Sequence, residues 1–277
     1  MPGRWAKLGI IAGSVERRGD VMLPSQRHQI ILREVSSQRA VTIRELTRSL
    51  GVSRETVRKD IEQLAAENRL RRVRGGATRI LTAEPPSQTR AATNREGKAS
   101  IAAFVAEGIE DGSSLFIDNG STTLAVAEAL ARSRRDLIVY TNDLIIAGII
   151  APAAREVTVL GGRLDADERA TFGIVTLEHL SHYRAEYALI GAGGVSARAL
   201  FTDFSREAAE MRLRMMRQAE EARILADHSK FGEIGQVVLG PLPLGVRMVS
   251  DLEPPEDIAA ALAEASVGVD LADASSK

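Results

Sequence analysis

Apolar residues between positions 24 and 80 recur with helical spacing in three short segments. In the third segment they follow the i, i+4, i+7 pattern that places side chains on one face of a helix, at Val57, Ile61 and Leu64. The second segment opens with a T-x-x-E capping box at Thr42, and Gly51 suits the left-handed position that ends a helix. The pattern predicts two helices joined by a tight turn, with another amphipathic helix before them.

Cationic side chains lie near the start of the third predicted helix, away from its apolar face. A helix N-terminus is the positive end of the dipole, so Arg54, Arg58 and Lys59 are unfavourable there without an anionic partner. DNA supplies that partner, because a helix-turn-helix directs the start of its second helix into the major groove. The arrangement favours DNA binding over a surface helix that happens to be basic.

Residues 68–80, NRLRRVRGGATRI, predict two short strands around a Gly-Gly turn. Such a hairpin is the wing of a winged helix-turn-helix, and its arginines would contribute counterion release along the DNA backbone. The predicted DNA-binding residues, which combine the helix start with the wing, are Thr42, Ser53, Arg54, Glu55, Thr56, Arg58, Lys59, Arg71, Arg72 and Arg74.

Charge separates the chain of 277 residues into two parts. Residues 24–80 carry 13 Lys and Arg against 6 Asp and Glu, whereas residues 81–277 carry 19 against 29. A basic module joined to an acidic body suggests a polyanionic partner for the first and a different role for the second. Two solvated surfaces of different charge are the alternative.

The first 23 residues place basic side chains before a short apolar run, which loosely imitates a signal peptide. We interpret residues 1–23 as a disordered arm or a start-site artefact, with Met22 as the alternative start. There is no cysteine, which excludes disulfides and is compatible with the reducing cytoplasm. No apolar run approaches the length of a membrane span, so we expect a cytoplasmic protein without a membrane partner.

Residues 81–93 are polar and contain Pro85 and Pro86, which predicts an interdomain linker. Residues 94–277 then alternate short apolar strands with helical stretches. Alternation of this kind predicts an α/β domain with a mainly parallel sheet covered on both faces. The predicted organisation is therefore a small winged helix-turn-helix domain at 24–80, a linker, and a larger α/β domain.

Small and polar residues concentrate where the predicted strands end, and ligands of parallel sheets bind outside those ends. The DNGSTT stretch, residues 118–123, follows a strand and opens a helix, offering hydroxyls and free amides to a phosphate. An ordinary capped turn is the alternative. Polar or glycine-rich strand ends recur at residues 141–143, 191–194 and 227–230, so that a small phosphorylated polyol would fit.

These motifs resemble those of the DeoR family of bacterial transcriptional regulators over nearly all of residues 24–277. The resemblance rests on TVRKD, NRLRR and GGA in the basic part and on D-x-GSTT, TND, LGG and D-x-SKFG in the acidic part. It implies a sensor domain similar to ribose-5-phosphate isomerase, a phosphorylated sugar effector, and dimers or tetramers. The effector-binding residues that it implies are Asp118, Gly120, Ser121, Thr122, Thr123, Asn142, Asp143, Gly191, Gly193 and Lys230.

The favoured function is a repressor of a carbohydrate-utilisation operon, released from double-stranded operator DNA by a phosphorylated sugar. A sugar-phosphate isomerase with an added DNA-binding domain is the alternative, but residues 190–200 contain no carboxylate to serve as its general base. An architectural DNA protein would not need the phosphate-type strand ends. We expect no catalytic residue and no cofactor. We also expect no metal, because the four histidines form no ligand cluster.

Overall fold

The computed structural model describes residues 22–38, 40–67, 69–73, 75–78 and 84–272. They form two compact units that divide between positions 79 and 80. The N-terminal arm expected at residues 1–23 lies outside the described residues except for Met22 and Leu23.

Within its described residues, the first unit combines three helices with a three-stranded antiparallel sheet of order β1-β3-β2. Its elements are α1 (Pro24–Gln38), β1 (Ala40–Thr42), α2 (Ile43–Leu50), α3 (Arg54–Ala66), β2 (Arg71–Val73) and β3 (Gly76–Thr78).

The core of this unit is built from the apolar positions of the sequence pattern. Val57, Ile61 and Leu64 of α3 are fully buried and pack in one cluster with residues of α1 and α2. The capping box is confirmed, since the Glu45 amide donates to Thr42 Oγ1 at 3.1 Å and the Thr42 amide donates to Glu45 Oε2 at 2.8 Å. Gly51 ends α2 with a φ of 64°, as predicted.

The sheet differs from the predicted hairpin because it has a third strand. Strand β1 pairs antiparallel with β3, with Val41 opposite Ala77. Gly76 makes this pairing possible, because a Cβ at that position would lie 2.0 Å from the carbonyl oxygen of Val41. Three residues of β1 are too few to show an alternating pattern, so the sequence did not reveal this strand.

The second unit contains seven helices and twelve strands within its described residues. The first half comprises α4 (Ser87–Ala92), α5 (Arg95–Glu107), β4 (Ser114–Ile117), α6 (Ser121–Ser133), β5 (Leu137–Thr141), α7 (Leu144–Ile150), β6 (Ala154–Val159), β7 (Arg163–Asp165), β8 (Ala170–Phe172) and α8 (Ile174–Leu180). The second half comprises β9 (Ala185–Gly191), β10 (Gly194–Ser196), β11 (Leu200–Asp203), α9 (Arg206–Arg217), β12 (Ala219–Leu225), β13 (Val237–Val238), β14 (Arg247–Ser250), α10 (Glu256–Glu264) and β15 (Gly268–Leu271).

A seven-stranded parallel sheet of order β15-β14-β12-β9-β4-β5-β6 forms the centre of the unit. Side chains along β4 alternate between its two faces. Leu115 and Ile117 pack with α5, α6 and α7, whereas Phe116 packs with α8, α9 and α10. Both faces are therefore covered by helices, which confirms the predicted parallel α/β architecture.

The strand order reverses between β4 and β9. From β4 the chain adds β5 and β6 on one side, and from β9 it adds β12, β14 and β15 on the other. Open parallel sheets bind ligands at such a point, outside the carboxyl ends of the two central strands. Asp118 and Gly191, which the sequence placed in the predicted effector site, lie at these two ends.

The segment predicted to be a linker, residues 81–93, contains a helix. Residues 87–92 form α4, and Arg90 within it is only 6% exposed. Its guanidinium forms ion pairs with Glu84 and with Glu168. The polar composition of this segment thus reflects buried ion pairs as well as solvation, because a buried charge requires partners.

Candidate functional sites

The start of α3 presents the cationic surface that the sequence predicted. Arg54, Glu55, Arg58 and Lys59 are exposed, opposite the buried stripe. Ser53 caps the helix, accepting from the Thr56 amide at 3.1 Å and lying 2.9 Å from the Thr56 hydroxyl. These two side chains therefore hold the helix start in place, whereas the longer ones are free to reach outward.

A buried ion pair that the sequence analysis missed fixes α3 to α1. Asp60 is 4% exposed, and its carboxylate accepts from Arg27 Nε at 2.7 Å and Nη2 at 2.9 Å. His28 Nε2 lies 3.2 Å from the same carboxylate. In the sequence, Asp60 is simply a polar residue next to Ile61 of the predicted helix. Only its partners on α1 reveal that it belongs to a buried ion pair.

The predicted wing residues have different surroundings. Arg72 is exposed and forms an ion pair with Glu62 of α3 at 2.9 Å. Arg71 is half-buried, and Arg74 lies outside the described residues. Thr42 is exposed, but its hydroxyl donates to Glu45 Oε2 at 2.8 Å within the capping box.

At the carboxyl edge of the sheet of the second unit, α6 begins without a side-chain cap. Gly120 precedes it with a φ of 149°, a backbone conformation that residues with a side chain rarely adopt. Thr122 and Thr123 are buried, and Thr123 Oγ1 donates to the Gly120 carbonyl at 3.0 Å. Ser121 is half-exposed, so it is the accessible hydroxyl of the predicted phosphate cradle. The uncapped amides at this helix start favour an anion.

Asp118 is less available to a ligand than the sequence predicted. It is fully buried, and its Oδ2 accepts from Arg212 Nε at 2.6 Å and from the Gly191 amide at 3.1 Å. Arg212 also pairs with Asp203 at the end of β11. The structure thus uses Asp118 and Gly191 to join β4, β9 and α9 at the point where the strand order reverses.

Asn142 and Asp143 follow β5 and are both buried. Asp143 caps α7, accepting from the Ile145 amide at 2.7 Å and the Ile146 amide at 3.0 Å. Burial raises the pKa of Asp143 despite these hydrogen bonds. Asn142 donates to the Thr171 carbonyl at 3.2 Å, and its buried Oδ1 has no partner among the described residues.

Lys230 lies in a short 3₁₀ turn, His228–Lys230, just after β12. It is half-buried, and its ammonium has no hydrogen-bond partner in the part of the chain that the structure describes. Burial lowers the pKa of Lys230, while Glu84 and Asp227 partly oppose this effect. Gly193 lies just before β10, where its amide donates to the Thr202 carbonyl at 2.9 Å.

The carboxyl edge also contains charged residues that sequence reasoning did not single out: Arg90, Lys98, Glu168, Asp203 and Arg212. Each belongs to a helix, strand or connection whose local pattern is ordinary. Only the fold brings them to the strand ends.

Both units of the chain match models of known protein families. The model of the DeoR C terminal sensor domain matches residues 93–251, and the model of the DeoR-like helix-turn-helix domain matches residues 27–83. The chain belongs to the DeoR family. It is a DeoR-family transcriptional repressor with a DNA-binding domain and an effector-sensing domain, and it is not an enzyme.

Several curated relatives of this DeoR-family chain resemble it over most of its length. The glycerol-3-phosphate regulon repressor of Escherichia coli K12 is 30% identical over 90% of this chain and 100% of its own. The HTH-type transcriptional repressor GlcR of Bacillus subtilis is 32% identical over 76% of this chain and 82% of its own.

Among solved structures, ribose 5-phosphate isomerase A from Methanocaldococcus jannaschii is similar, with a TM-score of 0.37 and 15% identity over 50% of this chain and 55% of that one. A probable sor operon regulator from Shigella flexneri has a TM-score of 0.36 and 14% identity, over 61% and 85% of the two chains. Within the described residues, no helix is long and apolar enough to cross a bilayer. The described side chains also include no group of three or more His, Asp or Glu arranged to hold a metal ion.

Proposed function

We propose that this DeoR-family repressor binds an operator of a carbohydrate-utilisation operon and leaves it when a phosphorylated sugar or polyol binds its sensor domain. The relative named for the glycerol-3-phosphate regulon supports a phosphorylated polyol as the class of effector. The proposed contacts to the effector come from the start of α6 and from Lys230.

One observation carries this proposal: an uncapped helix start and a half-buried cation, whose ammonium has no hydrogen-bond partner among the described residues, belong to the same edge of the sheet. Ser121 and the first amides of α6 would receive phosphate oxygens, and Lys230 would supply the charge. An unphosphorylated sugar would leave these groups without partners, which is costly in a partly buried site. We therefore infer that the phosphate is required for binding.

On the DNA side, we propose that Arg54, Arg58 and Lys59 enter the major groove while Arg72 contacts the phosphate backbone. We further propose a homodimer or homotetramer, because a single recognition helix covers too few base pairs to specify an operator. Light scattering tests this assembly, and a strict monomer both with and without operator DNA would exclude it. A repressor that acts on chromosomal DNA works in the cytoplasm of a bacterium.

The proposed function is tested by operator release. Labelled DNA from upstream of the neighbouring genes is bound to the protein, and its anisotropy is followed as glycerol, sn-glycerol 3-phosphate and hexose phosphates are added. We expect one phosphorylated compound to release the DNA, and its unphosphorylated parent to have no effect. Release by the parent alone would exclude the proposed phosphate site.

A variant with Ser121→Ala and Thr122→Ala localises the effect. It should bind the operator as the wild type does but require much more effector for release. Ser133→Ala is the matched control, since it removes a hydroxyl from the opposite end of α6. If the double variant releases DNA at the wild-type effector concentration, the phosphate binds elsewhere.

A further inference from the structure

The segment between positions 84 and 94, which enters the sensor domain from the DNA-binding domain, is fastened to the carboxyl edge of the sheet. We call it the entry segment. Buried Arg90 pairs with Glu84 of the same segment and with Glu168 of the β7–β8 connection. Glu168 in turn accepts from Asn119 Nδ2 at 3.2 Å. This chain of contacts ends one residue before Gly120, at the start of the proposed phosphate cradle.

The far end of the entry segment is held by a different set of bonds. Asn94 Nδ2 donates to Asp227 Oδ1 at 2.8 Å and to Asp251 Oδ2 at 3.0 Å, at the ends of β12 and β14. Lys98 Nζ donates to the Arg90 carbonyl at 2.7 Å. The donor Asn94 is neutral, whereas Lys98 is a cation that also pairs with Asp227 at 3.7 Å. The Glu84 end is held by the ion pair with Arg90.

The charge balance at this edge limits what can bind there. Four cations belong to the network, namely Arg90, Lys98, Arg212 and Lys230. Five carboxylates surround them, namely Glu84, Glu168, Asp118, Asp203 and Asp227. Adding a phosphate dianion to a partly buried site that is already acidic is strongly unfavourable. A carboxylate must therefore move away from the cations, or be protonated, when the dianion enters.

Glu84 is the carboxylate best placed to move. Asp118, Asp203 and Asp227 lie at strand ends and are fully buried, and Glu168 is also held by Asn119. Glu84 precedes α4 and has 21% of its side chain accessible; Glu168 has 20%, so the hydrogen bond from Asn119 is what distinguishes the two. Besides its pairing with Arg90, it acts electrostatically on Lys230. It thus neutralises Arg90, a cation at the edge where the phosphate is proposed to bind.

We propose that Glu84 is an internal competitor of the effector: its carboxylate occupies Arg90 in the free sensor domain, and the anionic group of the effector displaces it. This inference rests on the proposed function, since it takes the phosphate to the same edge. Displacement of Glu84 from Arg90 releases the part of the entry segment that precedes Arg90. Glu84 lies only six residues after the end of β3, so the released stretch leads directly to the DNA-binding domain.

The test uses the full-length protein with inorganic phosphate as the probe. Isothermal titration calorimetry measures phosphate affinity in the wild type, in Glu84→Gln and in the control Glu128→Gln. The control makes the same change at an exposed position on α6. Loss of an internal competitor should tighten phosphate binding by roughly tenfold in Glu84→Gln. The control should bind phosphate as the wild type does.

Hydrogen exchange of the entry segment provides a second readout. Phosphate should speed exchange of the Arg90 amide, which donates to the Pro86 carbonyl at 3.0 Å, in the wild type, and Glu84→Gln should show this faster exchange without phosphate. A purely structural role of Glu84 would produce the opposite change in affinity, because disordering the segment would weaken the site. Equal or weaker phosphate binding by Glu84→Gln would overturn the inference.

Ser121→Ala separates this inference from the function on which it rests. If Ser121→Ala weakens phosphate binding but Glu84→Gln leaves it unchanged, the proposed phosphate site at the start of α6 is supported and only the competitor role of Glu84 is excluded. If Ser121→Ala has no effect on phosphate binding, the proposed site is wrong, and the role of Glu84 is excluded with it.

Discussion

Arg212 Nε lies 2.6 Å from Asp118 Oδ2, and both side chains are buried. The arginine belongs to α9, whereas the aspartate follows β4, 94 positions earlier in the chain. The same guanidinium pairs with Asp203. One buried side chain therefore holds the end of β4, the end of β11 and a covering helix together where the strand order reverses.

Arg212→Met should strongly destabilise the sensor domain. Removing one partner of a buried ion pair leaves an uncompensated charge and typically costs about 3–5 kcal/mol. Urea unfolding followed by circular dichroism measures this change. Arg206→Met on the same helix is the control, because its pair with Glu210 is exposed and such pairs contribute about 0–1 kcal/mol. Equal losses in the two variants would contradict the structural role of Arg212.

Arg58→Ala should weaken operator binding by about 1–3 kcal/mol if the side chain reads a base edge. The reason is its exposure in the second turn of α3, where it is not needed for the core. Gel-shift titration against operator and scrambled DNA makes the measurement. Arg33→Ala, an exposed arginine of α1, removes the same charge and should have a smaller effect. Unchanged operator affinity in Arg58→Ala would exclude this contact.

Glu62→Gln should strengthen binding to all DNA sequences. Glu62 neutralises Arg72 at 2.9 Å in the free protein, so its loss leaves the arginine available to a phosphate. Arg72→Ala should have the reverse effect and reduce the slope of log K against log salt by about one. Fluorescence titrations at several salt concentrations compare the variants. A change confined to one DNA sequence would argue against a backbone contact.

The stability of the DNA-binding domain should depend on the charge of Asp60. Burial raises the pKa of Asp60, but the hydrogen bond and charge of Arg27, with a smaller effect of His28, outweigh burial and lower it. A lowered folded-state pKa means that the ionised carboxylate stabilises the fold above the unfolded value of about 3.9. This stabilisation is lost as the pH falls through the folded-state pKa.

Asp60→Asn should therefore melt at a lower temperature than the wild type at pH 7, and the difference should shrink below about pH 4. Thermal melts over a pH series make the comparison. Glu55→Gln, an exposed change on the same helix, should show no such convergence. A difference that stays constant down to pH 3 would show that the charge of Asp60 is not responsible.

Local patterns predicted the features that depend on neighbouring residues. The α3 stripe, the capping box and the end of α2 at Gly51 each follow from spacing over a few positions. The parallel sheet followed from the alternation of strands and helices. The polar strand ends were visible too, because a run such as residues 118–123 is contiguous in the sequence.

Long-range charge pairs were not predictable in this way. Nothing near Arg212 indicates that its partners are Asp118 and Asp203, and nothing near Arg90 indicates burial. In a polar segment a buried arginine has the same local signature as a solvated one. Its partner Glu168 lies 78 positions away, so only the tertiary structure distinguishes the two cases.

The strand order has a practical consequence. Strands β4, β5 and β6 form one contiguous block of the sheet, and β9, β12, β14 and β15 form the other. The turn after α8, at residues 181–184, connects the blocks, and Ser181, His182 and Arg184 within it are exposed. Cutting the gene at this turn would produce two fragments whose shares of the central sheet pair along the β4–β9 seam, where Asp118 faces Gly191. Each fragment could be fused to one half of a split reporter enzyme. Reporter activity would then measure reassembly of the sensor domain without the use of DNA.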